Sequence, residues 1–334
     1  MAPVNKFLYA LKGIKLVPGA DLHGFQQRQA DFSGLDLHGA NLSAADLMYV
    51  NFRGANLQRV NFTGTELLAA NFSRAHLEGA IFKDARLGSA DFSNAILNGA
   101  HFEGAKMMNA QLIEASLVGA SLVGAELIGA RLTGSNLSQA DLRITRLFEA
   151  DFEGVNFHGA DLRGVDLEHV NLYRANLQGA LLEAANLAHA QLDQKVLNDT
   201  NLKGAFIHHA RLREADLSSA NLGGASLFDS DLHAAVLKGA DLSRANLTNA
   251  NLTLADLSGA DLRGANLKGA VMRGRGLQSE HVLRYISWGE SAKLVGHDLK
   301  DADQFPVRLE GARYDSSTLW PYDFDPDAFG ALRV

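Results

Sequence analysis

From Asp21 onward, apolar and polar positions recur on a period of five. Leu or Phe stands at every fifth residue from Leu22 to Leu277 without slippage, filling 48 of 52 such positions. The exceptions are Gln27, Met107, Ile207 and Met272. Two residues before each centre, Ala fills 38 of the 52 positions, with Asp, Asn, Ser or another polar residue usually between the two. A helix needs apolar residues at a spacing near 3.6, so a strict period of five would smear around its cylinder; a long half-buried strand needs period two. Ala and Leu two apart do share one side of an extended backbone. Each unit therefore predicts a short extended piece pointing Ala and Leu inward. It is followed by a corner, where Gly, Asn, Ser and Arg recur.

The units A-D-L-S-G, A-N-L-S-A, A-D-L-R-G and A-N-L-K-G resemble the repeats of the pentapeptide-repeat family, over residues 20–279. That resemblance implies an all-β solenoid, a right-handed four-sided β-helix with four pentapeptides per coil, and hence about 13 coils. It divides the chain into an N-terminal capping segment (1–19), the repeat region (20–279) and a C-terminal capping extension (280–334). Residues twenty apart would then stack. Phe32, Phe52, Phe72 and Phe92 should form one interior column, and Phe62, Phe82 and Phe102 another. Lys195 occupies an inward Ala position, where an unpaired ammonium is costly, so a local bulge is expected to carry it to solvent. Arg275 does the same where the repeats finish.

A solenoid exposes strand edges at its ends, and these need covering. Residues 5–12 read as a short amphipathic helix whose Phe7, Leu8 and Leu11 would cover the first coil. Ser279–Ile286 reads as a second short helix. The final stretch, with Tyr314, Trp320 and Phe324, resembles a tail that follows many bacterial pentapeptide arrays and suits a cap, or else a dimer contact. Asp323, Asp325 and Asp327 raise a calcium reading, which Pro326 and the missing glycine turn disfavour.

Composition narrows the function classes. Cysteine is absent, which removes disulfides, thiolate metal sites and a cysteine nucleophile and fits a reducing cytoplasm. No run of 18 apolar residues predicts a membrane span, and no secretory signal is read. No phosphate-cradling, nucleophile-elbow or zinc-protease motif occurs, so no enzyme, catalytic residue, cofactor or metal is expected. The net charge is −7, and both signs are mixed over all faces.

That mixing bears on partners. The family's fluoroquinolone-resistance members bind DNA gyrase, and a DNA-like shape and acidic surface are invoked for them. A DNA mimic needs a dense field of one sign, so gyrase binding stands here as the alternative. The leading expectation is a non-enzymatic protein-binding or scaffolding solenoid, with no nucleic-acid or membrane partner. Its docking surface is placed on the face centred on Gln27, at the residue after each centre: Met48, Leu68, Met108, Ile128, Phe148 and Phe228, with Tyr49 adjoining. Pointing outward, these would form an apolar stripe of the kind that marks interfaces, to another protein or to a second copy. The same face carries His169, His189 and His209 on successive coils beside His208, close enough to sense pH or to hold a metal.

Overall fold

In the computed structural model, which describes residues 15–168, 170–272, 307, 309–321 and 324–334, the regular pentapeptides bond all five of their backbone amides. Asp91–Ala95 shows the scheme. The Asp91 amide donates to Ala70 of the preceding coil at 2.9 Å, and Phe92 donates to Gln111 of the next at 2.7 Å. Asn94 donates to Ile113 at 2.9 Å, and Ala95 closes a four-residue turn onto Phe92 at 2.9 Å. The remaining amide, of Ser93, donates to the Asp91 carboxylate at 2.9 Å. Asp241–Ala245 repeats the same five bonds, Ser243 donating to Asp241 Oδ1 at 2.9 Å. The Asp or Asn that precedes each Leu is thus an acceptor built into the turn.

Parallel bridges join residues twenty apart, such as Asp31 with Asn51 and Asp241 with Asp261. Each winding therefore takes twenty residues, four pentapeptides. The third residue of every turn has positive φ, the sign that a type II turn places there. Glycine fills many of these positions, but Ile144 (φ 54°) and Leu254 (φ 63°) hold the same conformation. For a β-branched residue this is a true outlier.

The chain divides into two compact units, Met1–Val165 with Val170–Ala175, and Asp166–His169 with Asn176–Val334. In unit 1, two phenylalanine columns run through the core. Phe72 and Phe92 stack at 4.8 Å between ring centroids, Phe62 and Phe82 at 4.9 Å, and Phe82 and Phe102 at 4.9 Å. The columns meet edge to face, at 5.6 Å between Phe82 and Phe92. This combines both favoured aromatic geometries. In unit 2, the described centres are Leu apart from Ile207 and Met272, all buried. Some hydroxyls at inward Ala positions bond to the backbone: Thr65 Oγ1 donates to Leu42 O at 2.8 Å and Ser230 Oγ to Leu227 O at 2.6 Å, whereas Ser135 Oγ is buried without a partner.

The bulge expected at Lys195 is absent. The Lys195 amide still closes its turn on Leu192, and its carbonyl accepts from Asp216 at 2.9 Å. The side chain is half-buried and its pKa is lowered by burial. The register is unchanged, the parallel bridge from Val196 to Asp216 being kept.

The tail of unit 2 continues the winding. Arg313 bridges Asp261 and Leu319 bridges Asn266, while Gly259 donates to Glu310 at 2.8 Å. Leu309-Glu310-Gly311-Ala312-Arg313-Tyr314 is a repeat shifted out of phase, with Gly311 in the left-handed turn position and Ala312 and Tyr314 buried. Strand β1 (Arg313–Tyr314) pairs in parallel with β2 (Leu332–Arg333). Between them, the rings of Tyr314, Trp320, Phe324 and Phe329 pack in sequence at 5.1–5.5 Å. Tyr314 Oη donates to Asp327 at 2.7 Å, which raises the phenol's pKa. The two short helices expected from sequence, with Phe7, Leu11 and Arg275, lie outside the described residues, as does Asp323.

Candidate interaction surface

The residue after each centre is the second residue of the turn, so its side chain faces away from the core. On the Leu47 face of unit 1 these residues are locked in place by the backbone. Tyr49 donates to Leu68 O, Ala69 to Gly88 O, Ser89 to Met108 O, Asn109 to Ile128 O and Gly129 to Phe148 O, all at 2.8–2.9 Å. The backbone that carries these side chains is set before any partner arrives, which lowers the backbone entropy lost on binding.

Exposure along the expected stripe is uneven. Phe148 is 62% exposed, Tyr49 50% and Met108 45%. Met48, Leu68 and Ile128 are half-buried. Leu68 leans toward the neighbouring glycine: a Cβ built on Gly88 would meet Leu68 Cδ1 at 3.2 Å. Part of the stripe therefore covers the coil wall, and Tyr49, Met108 and Phe148 stand out from it. In unit 2, Phe228 is half-buried under imidazoles. Among the exposed apolar side chains that sequence reasoning passed over are Ile144 at 71%, Tyr173 and Phe206. Ile144 was detectable as a β-branched residue in a turn position that favours glycine.

Electrostatically, the described surface is interleaved. In unit 1, Arg143 Nη2 lies 2.7 Å from Asp141 and its Nε 3.5 Å from Asp161, which also pairs with Arg163 at 2.6 Å. Hydrogen bonds from these guanidiniums hold both carboxylates below their usual range. Arg28 does the same for Asp46. In unit 2, Arg211 pairs with Asp193 and Arg263 with Asp261. Several acidic side chains of each unit thus stand beside a guanidinium.

On the histidine face of unit 2, His189 and His209 stack at 5.0 Å, the separation expected of neighbouring coils. His169 lies outside the described residues. Among the described residues, no group of three His, Asp or Glu is arranged to hold a metal, and no helix is long and apolar enough to cross a membrane.

Family models described as pentapeptide repeats match residues 150–187, 180–218, 196–233 and 235–274, and a pentapeptide-repeat-region model matches 35–112 and 55–132. The chain belongs to the pentapeptide-repeat family. Among solved structures it is similar to HetL of the cyanobacterium Nostoc sp. strain PCC 7120, a pentapeptide-repeat protein involved in heterocyst differentiation regulation. The two are 31% identical over 80% of this chain and 92% of HetL, with a TM-score of 0.21. A pentapeptide-repeat protein of the Arabidopsis thaliana thylakoid lumen is 32% identical over 36% of this chain and 70% of its own, with a TM-score of 0.21. QnrB1, a plasmid-mediated fluoroquinolone resistance protein, is 16% identical over 78% of this chain and 97% of its own, with a TM-score of 0.17. No curated protein matches the chain. Membership of the family rests on the matched repeats and on the sequence identity with HetL; the twenty-residue winding is a property of the chain's own parallel bridges.

Proposed function

We propose that this pentapeptide-repeat protein is a non-catalytic binding solenoid that docks another protein on the Leu47 face of unit 1. The observation that carries this reading is the exposure of Tyr49, Met108 and Phe148 on one rigid turn column. Large aromatic and methionine side chains displayed on a stiff backbone are typical anchors of protein interfaces. The right-handed hand of the winding goes with this reading as a property expected of the family, about 13 coils as what its repeat count implies, and a cytoplasmic setting as what a cysteine-free chain fits. The tail, whose strands and aromatic rings extend unit 2, serves in it as the C-terminal closure.

The test is capture of a partner from the native host by the full chain and by a Met108→Asp, Phe148→Asp double variant. The expected partner is retained by the native chain in both low and high salt, because an apolar contact is little screened, and is lost from the double variant. Retention by the variant refutes the docking surface. A partner that is a second copy of the chain assigns the face to self-association. The interleaved ion pairs argue against a DNA-like field, so no effect on gyrase supercoiling is expected at micromolar protein.

A further inference from the structure

Three imidazoles of unit 2 share one turn column with Phe228. The His189 and His209 rings are parallel within 9°, 5.0 Å apart. His208 stands edge-on to both, at 6.1 Å from His189 and 5.6 Å from His209. Its face lies on Phe228 at 4.7 Å and 4°, and His209 meets the same Phe228 edge-on at 5.1 Å. His208 Nδ1 is buried with no hydrogen-bond partner. The charged groups around His208 are its two histidine neighbours and Glu168. Asp229 Oδ2 is 4.0 Å from His209 Nδ1.

Neutral imidazoles pack as ordinary aromatic rings. Protonated ones are donors at both nitrogens, and His208 has no acceptor for the second. Charging the cluster would set like charges 5–6 Å apart; His189 and His209 are exposed, so the cost falls chiefly on half-buried His208. Two carboxylates face three imidazoles. The turn column is held by backbone bonds from His189 to His208 O and from His209 to Phe228 O, each 3.1 Å.

We propose that this imidazole stack is an acid-sensitive latch: neutral rings hold the coils between residues 187 and 229 together, and protonation opens that turn column. Burial first, and then the neighbouring histidines, lower the His208 pKa. A group favoured in its neutral form by the fold contributes its full stability above the ordinary histidine value of about 6.5 and loses it as pH falls below that value. The latch is independent of the docking surface on unit 1.

Amide hydrogen exchange of the full chain at about pH 7.5 and about pH 5.5, each corrected for intrinsic rates, tests the latch in the range where histidine titrates. The expected result is a several-fold loss of protection at acid pH in peptides spanning 187–229, with none along 47–149, and removal of that loss by His208→Phe, which keeps the stack on Phe228. Equal protection at both values overturns the proposal, as does a loss that persists in His208→Phe. Should that variant fail to fold, an NMR titration of the native chain decides. A His208 midpoint below that of free histidine supports the latch, and one at or above it overturns the proposal.

Discussion

Units 1 and 2 use the same five backbone bonds per repeat and fill the space they enclose differently. Unit 1 packs interlocked phenylalanines from Phe32 to Phe102, whereas the described core of unit 2 is leucine. Ladder distances match in the two, for example 2.7 Å both from Phe92 to Gln111 and from Leu222 to Asp241. The winding is set by the turn and its amide accounting, and the centre accepts any large apolar side chain that stacks on its neighbours. What distinguishes the units is therefore side-chain chemistry, phenylalanine columns inside unit 1, and leucine inside unit 2 with an imidazole cluster on one of its turn columns.

Truncating the core should break each unit most severely. Phe72→Ala leaves a void among four ring neighbours, and a loss of about 3–5 kcal/mol is expected, against roughly 2–5 kcal/mol for Leu227→Ala in unit 2. Denaturant unfolding checks both. The comparison sharpens with swaps that restore the other unit's residue. Leu227→Phe, placed among leucines with no aromatic column to join, should cost about 1–3 kcal/mol by overpacking.

Turn positions should respond in the opposite direction. Ile144 holds a left-handed conformation that costs an L residue of its shape roughly 1–2 kcal/mol. Since its side chain is largely exposed, Ile144→Asn should raise stability by about 1 kcal/mol, read as a higher midpoint. Thr65→Val, which removes a buried hydroxyl donating to Leu42 O, should cost about 0.5–1.5 kcal/mol.

The smallest effects are electrostatic, and they separate by pH window. Asp141 and Asp161 have lowered pKa values in unit 1, so their contribution is present above the unfolded carboxylate value of about 3.9 and is lost as pH falls through the folded value. Thermal scans of Arg143→Gln should show a weaker loss below about pH 4 than the native chain. The histidine window of unit 2 lies well above it.

The phase of the core was readable from Leu, Phe and Ala at fixed spacing, because an inward position admits few residue types. The role of Asp91 and Asp241 was less so: a polar residue between two apolar ones reads as merely outward, and its bond to the amide two residues on appears only with the turn. The tail repeat around Gly311 and Ala312 escaped because a shift of phase hides it from a strict period of five. The evenness of the stripe was unreadable for another reason. Exposure of Leu68 or Phe148 depends on neighbours twenty residues away, as the space at Gly88 shows.

Site-specific photo-crosslinking tests the central claim most directly, with a benzophenone side chain at Met108 or Phe148 and, as a control half a coil away in phase, at exposed Gln58. Irradiation in the native host should yield one discrete protein adduct from Met108 and Phe148 and none from Gln58. Adducts of equal yield and pattern at all three positions would contradict a docking surface on this face.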